Sequence, residues 1–220
     1  MTTPRSTYPT ERLGALSDGV FSIVLTLLVL DLKMPDVARG ADQSRMLIAD
    51  LESQIPNLIA WLISVVLVAR FWIAHHAIVA SLARCHVGTM VRNFVVLALV
   101  SLVPFAASLI GRYEFESVAV LVFAALMGMT GLSLGFFAHH ARTAHELRRQ
   151  LPLGDLNWHW SYHARILPTF SACTMLLLTV DEVAAVAVWG LEPLLAMGVA
   201  RRMRGREATT SDLLSEERSE

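Results

Sequence analysis

Cysteine and charge are both scarce in this chain. Its two cysteines, Cys85 and Cys173, are too few for a disulfide framework. Each reads as a small buried or interfacial side chain rather than a reactive thiol. Charged residues make up 17% of the 220, hydrophobic ones 55%, and the mean hydropathy is +0.53. A soluble domain usually carries about 25% charged residues, so an ordinary water-soluble fold is excluded. A cleavable leader fits the start of the chain poorly. The first apolar run is too long, no small-x-small site follows it, and Asp18 stands where a positive region belongs. The net charge of −1 argues nothing about partners, because the charges are segregated along the chain. Nothing in the composition calls for a cofactor or a nucleic-acid partner.

What is present is organised around Arg12 to Pro35, RLGALSDGVFSIVLTLLVLDLKMP. Leu13 to Leu30 is long enough to cross a bilayer core, which takes roughly 20 residues. Asp18 lies inside it, and an intramembrane carboxylate is costly enough to mark a functional site. On a helix, Gly19, Ile23, Leu27, Leu30 and Met34 share one face, with Thr26 at its edge. Asp18 projects about 140° away from Ile23. The carboxylate side must therefore pack against protein donors. The Ile/Leu row is either an ordinary lipid or core face or, around a symmetry axis, a hydrophobic constriction that gates by dewetting.

The rest of the chain reads as five further spans, giving an all-α integral membrane protein with six transmembrane helices. They are predicted over about 55–74, 93–110, 118–138, 166–180 and 183–200, after a first span over 13–32. Pro56 suits the first turn of the second span and Trp61 its interface. Pro104 should kink the third. Residues 45–53 suggest a short amphipathic helix, with Met46, Leu47 and Leu51 on one side. Residues 1–200 form one membrane domain, and 201–220 are a basic cluster followed by an acidic flexible tail. Six spans put both termini on one side. Fourteen of the eighteen basic residues fall on that side and four on the other, so both termini are expected in the cytoplasm.

The stretch Arg12-Leu-Gly-Ala-Leu-Ser17-Asp18 resembles the R-x-x-x-F-S-D signature of the endolysosomal potassium channel family, transmembrane protein 175, in its short bacterial branch. Phe71-Trp72-Ile-Ala-His75-His76 is similar to that family's aromatic-Trp-x-x-His-His at the end of the second helix. Arg92-Asn93-Phe and Leu102-Val-Pro104-Phe105 continue the likeness on the third. The resemblance covers residues 12–110 and is only general in layout beyond. The signature phenylalanine is Leu16 here, which keeps bulk but loses an aromatic face.

The resemblance implies a homotetramer whose first helices line a central potassium-conducting pore. The chain has no T-V-G-Y-G filter and no voltage-sensor helix with Arg at every third position, so the channel implied is a leak pathway. By resemblance and helical phase, Ile23, Leu27 and Leu30 form the constriction. Thr26 either lends a hydroxyl to the ion's shell or bonds back to its own helix. Arg12, Ser17 and Asp18 are expected in a scaffold network with Trp72, His75, His76 and Asn93 as donors; the alternative is ion binding at Asp18. Asp31 near the outer mouth either concentrates cations or is a solvated helix end.

His159 and His163, at i and i+4, lie near His139, His140 and His145 in a connection that no Cys or carboxylate completes into a metal set. An interfacial band with Trp158, Trp160 and Tyr162 is the plainer reading. Gly131 and Gly135 form a G-x-x-x-G suited to close helix contact. Two rival functions remain. A secondary transporter of cations or protons would usually show broken helices and charged midplane residues in related halves. An enzyme would need a nucleophile and base at one depth, and no His lies at mid-membrane beside Ser101 or Ser108.

Overall fold

In the computed structural model, residues 8–35, 42–144, 146, 171, 173 and 174 are described. The predicted fifth and sixth spans, the tail and the aromatic band at 158–162 lie outside them, apart from Ser171, Cys173 and Thr174. Within the described residues the regular elements are all helical, and Tyr8 pairs with Cys85 in an isolated backbone bridge. The helices are α1 (Thr10–Leu27), a 3₁₀ turn (Leu28–Asp31), α2 (Gln43–Ser53), α3 (Ile55–Ser81), α4 (Val87–Ser101), α5 (Val103–Arg112) and α6 (Ser117–Thr143). Among the described residues four stretches are long and apolar enough to cross a membrane: Thr10–Asp31, Ile55–Ser81, Val87–Arg112 and Ser117–Thr143.

Several boundaries differ from the sequence reading, three of them near residues that matter below. The second span runs on to Ser81, so His75 and His76 lie within α3 rather than at its end. The third starts at Val87, not Asn93, because Arg92 satisfies its guanidinium on the carbonyl of Gly88 at 2.9 Å and stays in the helix. Pro104 does more than bend it. Pro104 lacks an N–H for the Val100 carbonyl and its ring crowds that carbonyl. The helix therefore stops at Ser101 and restarts at Val103 as α5.

α3 packs along α5, α4 along α6, and α1 lies over α3 and α4. Of the four membrane-length stretches, α6 is the most buried span and α1 the least: 61% of the apolar stretch of α6 is covered but only 28% of that of the first span. The core holds Phe21, Phe71, Phe123, Phe137, Ile78 and Met127, all nearly inaccessible. Gly111 of α5 lets α3 come close; a Cβ there would sit 2.2 Å from Asn57 Oδ1. Gly128 does the same one turn before the G-x-x-x-G, against Ser171. The turn between α5 and α6 holds Glu114 and Phe115 at φ 49° and 65°, a left-handed pair that non-glycine residues rarely adopt.

Candidate functional site: the two faces of the first helix

One face of α1 is nailed to the subunit through a buried polar node. Ser17 is inaccessible, and its hydroxyl donates to the Leu13 carbonyl at 2.8 Å while lying 3.2 Å from Asn93 Oδ1. The same Asn93 oxygen sits 2.6 Å from Nε2 of His75. The His75 ring is held between Phe21 of α1 (5.5 Å between centroids) and Phe137 of α6 (5.7 Å). Four helices thus meet at one imidazole. Among the described residues the buried Asn93 Nδ2 has no hydrogen-bond partner.

A second contact lies beside the node. Trp72 Nε1–H donates to Asp18 at 2.9 Å, and the indole ring lies 5.4 Å from that of His76. Asp18 is half-buried and Trp72 partly exposed. Of the seven residues predicted to share a network, the structure brings Ser17, His75 and Asn93 together, and Asp18 with Trp72 and His76. Arg12 is exposed on the first turn of α1 and joins neither group.

The opposite face of α1 is bare. Ile23 is 59% exposed, Leu27 42% and Leu30 71%, with Leu16, Ser22 and Thr26 exposed alongside. Thr26 donates to the Ile23 carbonyl at 2.8 Å and Ser22 to that of Asp18 at 2.7 Å. Such back-bonds use the hydroxyl proton and leave the oxygen's lone pairs free. Ser22 was missed from sequence, although it precedes Thr26 by four residues and shares its side. Leu30 belongs to the 3₁₀ turn rather than the α-helix. The row from Ile23 to Leu30 therefore spans about 12 Å instead of the roughly 10 Å of an ideal α-helix.

Asp31, expected at an outer mouth, is half-buried and accepts a hydrogen bond from Ser108 of α5. With Lys33, Asp50, Asn57, Arg112 and Glu114 it lines an open polar cavity of about 400 Å³. At the other end of the bundle the buried Glu146 accepts from Thr89 and meets His86 Nδ1 at 2.7 Å. Burial first, and the charge of Glu146 second, push the Cys85 thiol above its ordinary range. Sequence reading saw none of this, because Glu146 looks like any charge in a polar connection. Among the described residues no group of three or more His, Cys, Asp or Glu is arranged to hold a metal; His145, His159 and His163 lie outside them.

The family profile described as endosomal/lysosomal potassium channel TMEM175 matches residues 12–104, which take in both faces of α1 and Ser17, His75 and Asn93 of the node. A potassium channel of Streptomyces collinus is 35% identical over 139 residues, 61% of this chain and 66% of that one. A potassium channel of Chamaesiphon minutus is 33% identical over 144 residues, 64% of this chain and 70% of that one. The crystal structure of a lysosomal potassium-selective channel TMEM175 homolog from Chamaesiphon minutus superposes with a TM-score of 0.72. It is 27% identical and covers 88% of this chain and 97% of the other. A buried node pinning a first helix whose other side stays bare is thus found in a chain that belongs to the TMEM175 family.

Proposed function

We infer that this chain is the subunit of a potassium-permeable leak channel, a homotetramer whose first helices surround a central pore. The observation that carries this reading is the asymmetry of α1. Its Ser17 side is committed to the subunit core, while its Ile23, Thr26, Leu27 and Leu30 side is exposed among the described residues. One helix cannot enclose a path, and a closed cyclic assembly would bring copies of the bare face together. Ile23, Leu27 and Leu30 then form an apolar sleeve that resists wetting. Thr26 presents an oxygen to the ion within it, and Asp31 stands near the outer entrance.

Six spans per subunit, cytoplasmic termini and a bacterial inner membrane complete the proposal. The segregation of basic residues supports the topology. So does the meeting of residue 8, the α3–α4 turn and Glu146 at one end of the bundle. Ser17, Asp18, Trp72, His75, His76 and Asn93 act as scaffold, holding α1 at a fixed rotation; Arg12 is left for contacts outside the subunit. Single-channel recording of purified protein in planar bilayers with asymmetric KCl and NaCl tests the function. Discrete steps reversing near the potassium potential are expected. Saturable flux without steps would instead favour the carrier reading.

A further inference from the structure

At the end of the bundle where the chain begins, three segments are tied in one knot. Tyr8, two residues before α1, donates its N–H to the Cys85 carbonyl at 2.9 Å. That carbonyl belongs to the turn between α3 and α4. The same turn donates Ala83 N–H (2.7 Å) and Arg84 N–H (3.3 Å) to the carbonyl of Glu146, just past α6. The Glu146 carboxylate, 1% exposed, closes the knot through His86 Nδ1 and the Thr89 hydroxyl. The end of α6 also presses on the start of α4, where a Cβ on Gly88 would lie 3.2 Å from His140 Nε2. By contrast the start of α1 has no side-chain cap; its N-cap residue is Pro9. Apart from its packing, the pore helix is fastened at this end by the Tyr8–Cys85 bridge.

We propose that Glu146 is a positioning residue for conduction: through His86, Thr89 and the Cys85 turn it holds the inner end of the pore helix in the constricted arrangement. The inference rests on the reading of α1 as the pore helix. A buried carboxylate that loses its charge or its donors costs more than a neutral contact. The knot is thus a discrete element, made or broken, and the rotation of α1 follows it. Ions never touch Glu146, so it acts on how often the pore opens and not on what passes.

Two variants test this. Glu146→Ala is expected to raise single-channel open probability roughly tenfold, the scale of one charge-assisted hydrogen bond. Unitary conductance and reversal potential should stay unchanged. Misfolding would lower the number of active channels without moving open probability. The second variant is Tyr8→Cys with Cys173→Ser. A cysteine at 8 would face Cys85 across an antiparallel bridge, at a Cα separation of about 5 Å that suits a disulfide. Oxidation should lower open probability, and dithiothreitol should restore it. The same protein with Cys85→Ser should ignore both reagents. A disulfide verified by mass spectrometry that leaves open probability unchanged overturns the proposal, whatever becomes of Glu146→Ala. Open probability at the unmodified level in well-folded Glu146→Ala channels overturns it too. The pore reading fails separately, if polar substitutions at Ile23 and Leu27 leave the current per channel unchanged.

Discussion

The Asp18 carboxylate accepts the Trp72 indole N–H on one side of α1 while the Ile23 row occupies another. Removing it leaves that donor facing a gap, at a cost of about 1–3 kcal/mol. Asp18→Ala should therefore lower the yield of assembled protein in size-exclusion chromatography more than it shifts the reversal potential of surviving channels. Normal assembly with a changed ion preference would move Asp18 into the conduction path. Cys85 offers a second check at this scale. Its thiol is fully buried, and the adjacent carboxylate further disfavours the thiolate. A small charged maleimide at pH 7.4 should label it slowly, and Glu146→Ala should speed the reaction. Ser17 and Asp18 were readable as chemistry because a polar pair inside an apolar run has few innocent explanations. The partners were less so. Sequence offered Trp72, His75, His76 and Asn93 as equal donors. Only packing decides that Ser17 and His75 share one Asn93 oxygen while Asp18 takes Trp72.

Among the elements α1, the proposed pore helix, carries the sharpest expectation. Ile23→Asn and Leu27→Asn make one ring polar at nearly constant volume. Each should raise basal current per channel several-fold, and the larger gain marks the tighter ring. Thr26→Val keeps the shape but removes the oxygen, so it should reduce potassium preference, read from reversal potentials, more than total current. Were this face turned to lipid, the Asn variants would impair insertion and leave current per folded channel alone. The α3–α5 contact gives a test free of function. Gly111→Ala drives a methyl group to 3.0 Å from the Asn57 Cα as well as into its side chain. It should cost about 1–3 kcal/mol or more, visible as a lower midpoint in thermal unfolding in detergent. Apolar length and proline were enough to predict the four spans that lie within the described residues and a distortion near Pro104, as a kink rather than the break found. They could not set the ends, because helices such as α3 continue through His75 and His76 once a neighbour satisfies the polar groups. Nor could periodicity foresee the 3₁₀ turn, which changes the pitch beneath Leu30 without changing a residue.

For the whole molecule, the proposed closed assembly makes a direct forecast: native mass measurement from mild detergent or nanodiscs should find four copies. A species that is only monomeric would count heavily against a pore built from α1. The knot around Glu146 was invisible from sequence because it joins residues 8, 85 and 146, and no local pattern links positions so far apart. The bare face of α1 has one last consequence. Ile23, Leu27 and Leu30 are chemically the same as lipid tails, so acyl chains solvate an unassembled subunit as readily as its siblings do. Water does not force these copies together. Assembly is then a mass-action equilibrium in two dimensions, set by protein per area of membrane. Diluting the purified protein into growing amounts of lipid should make activity fall more steeply than in proportion to its surface density.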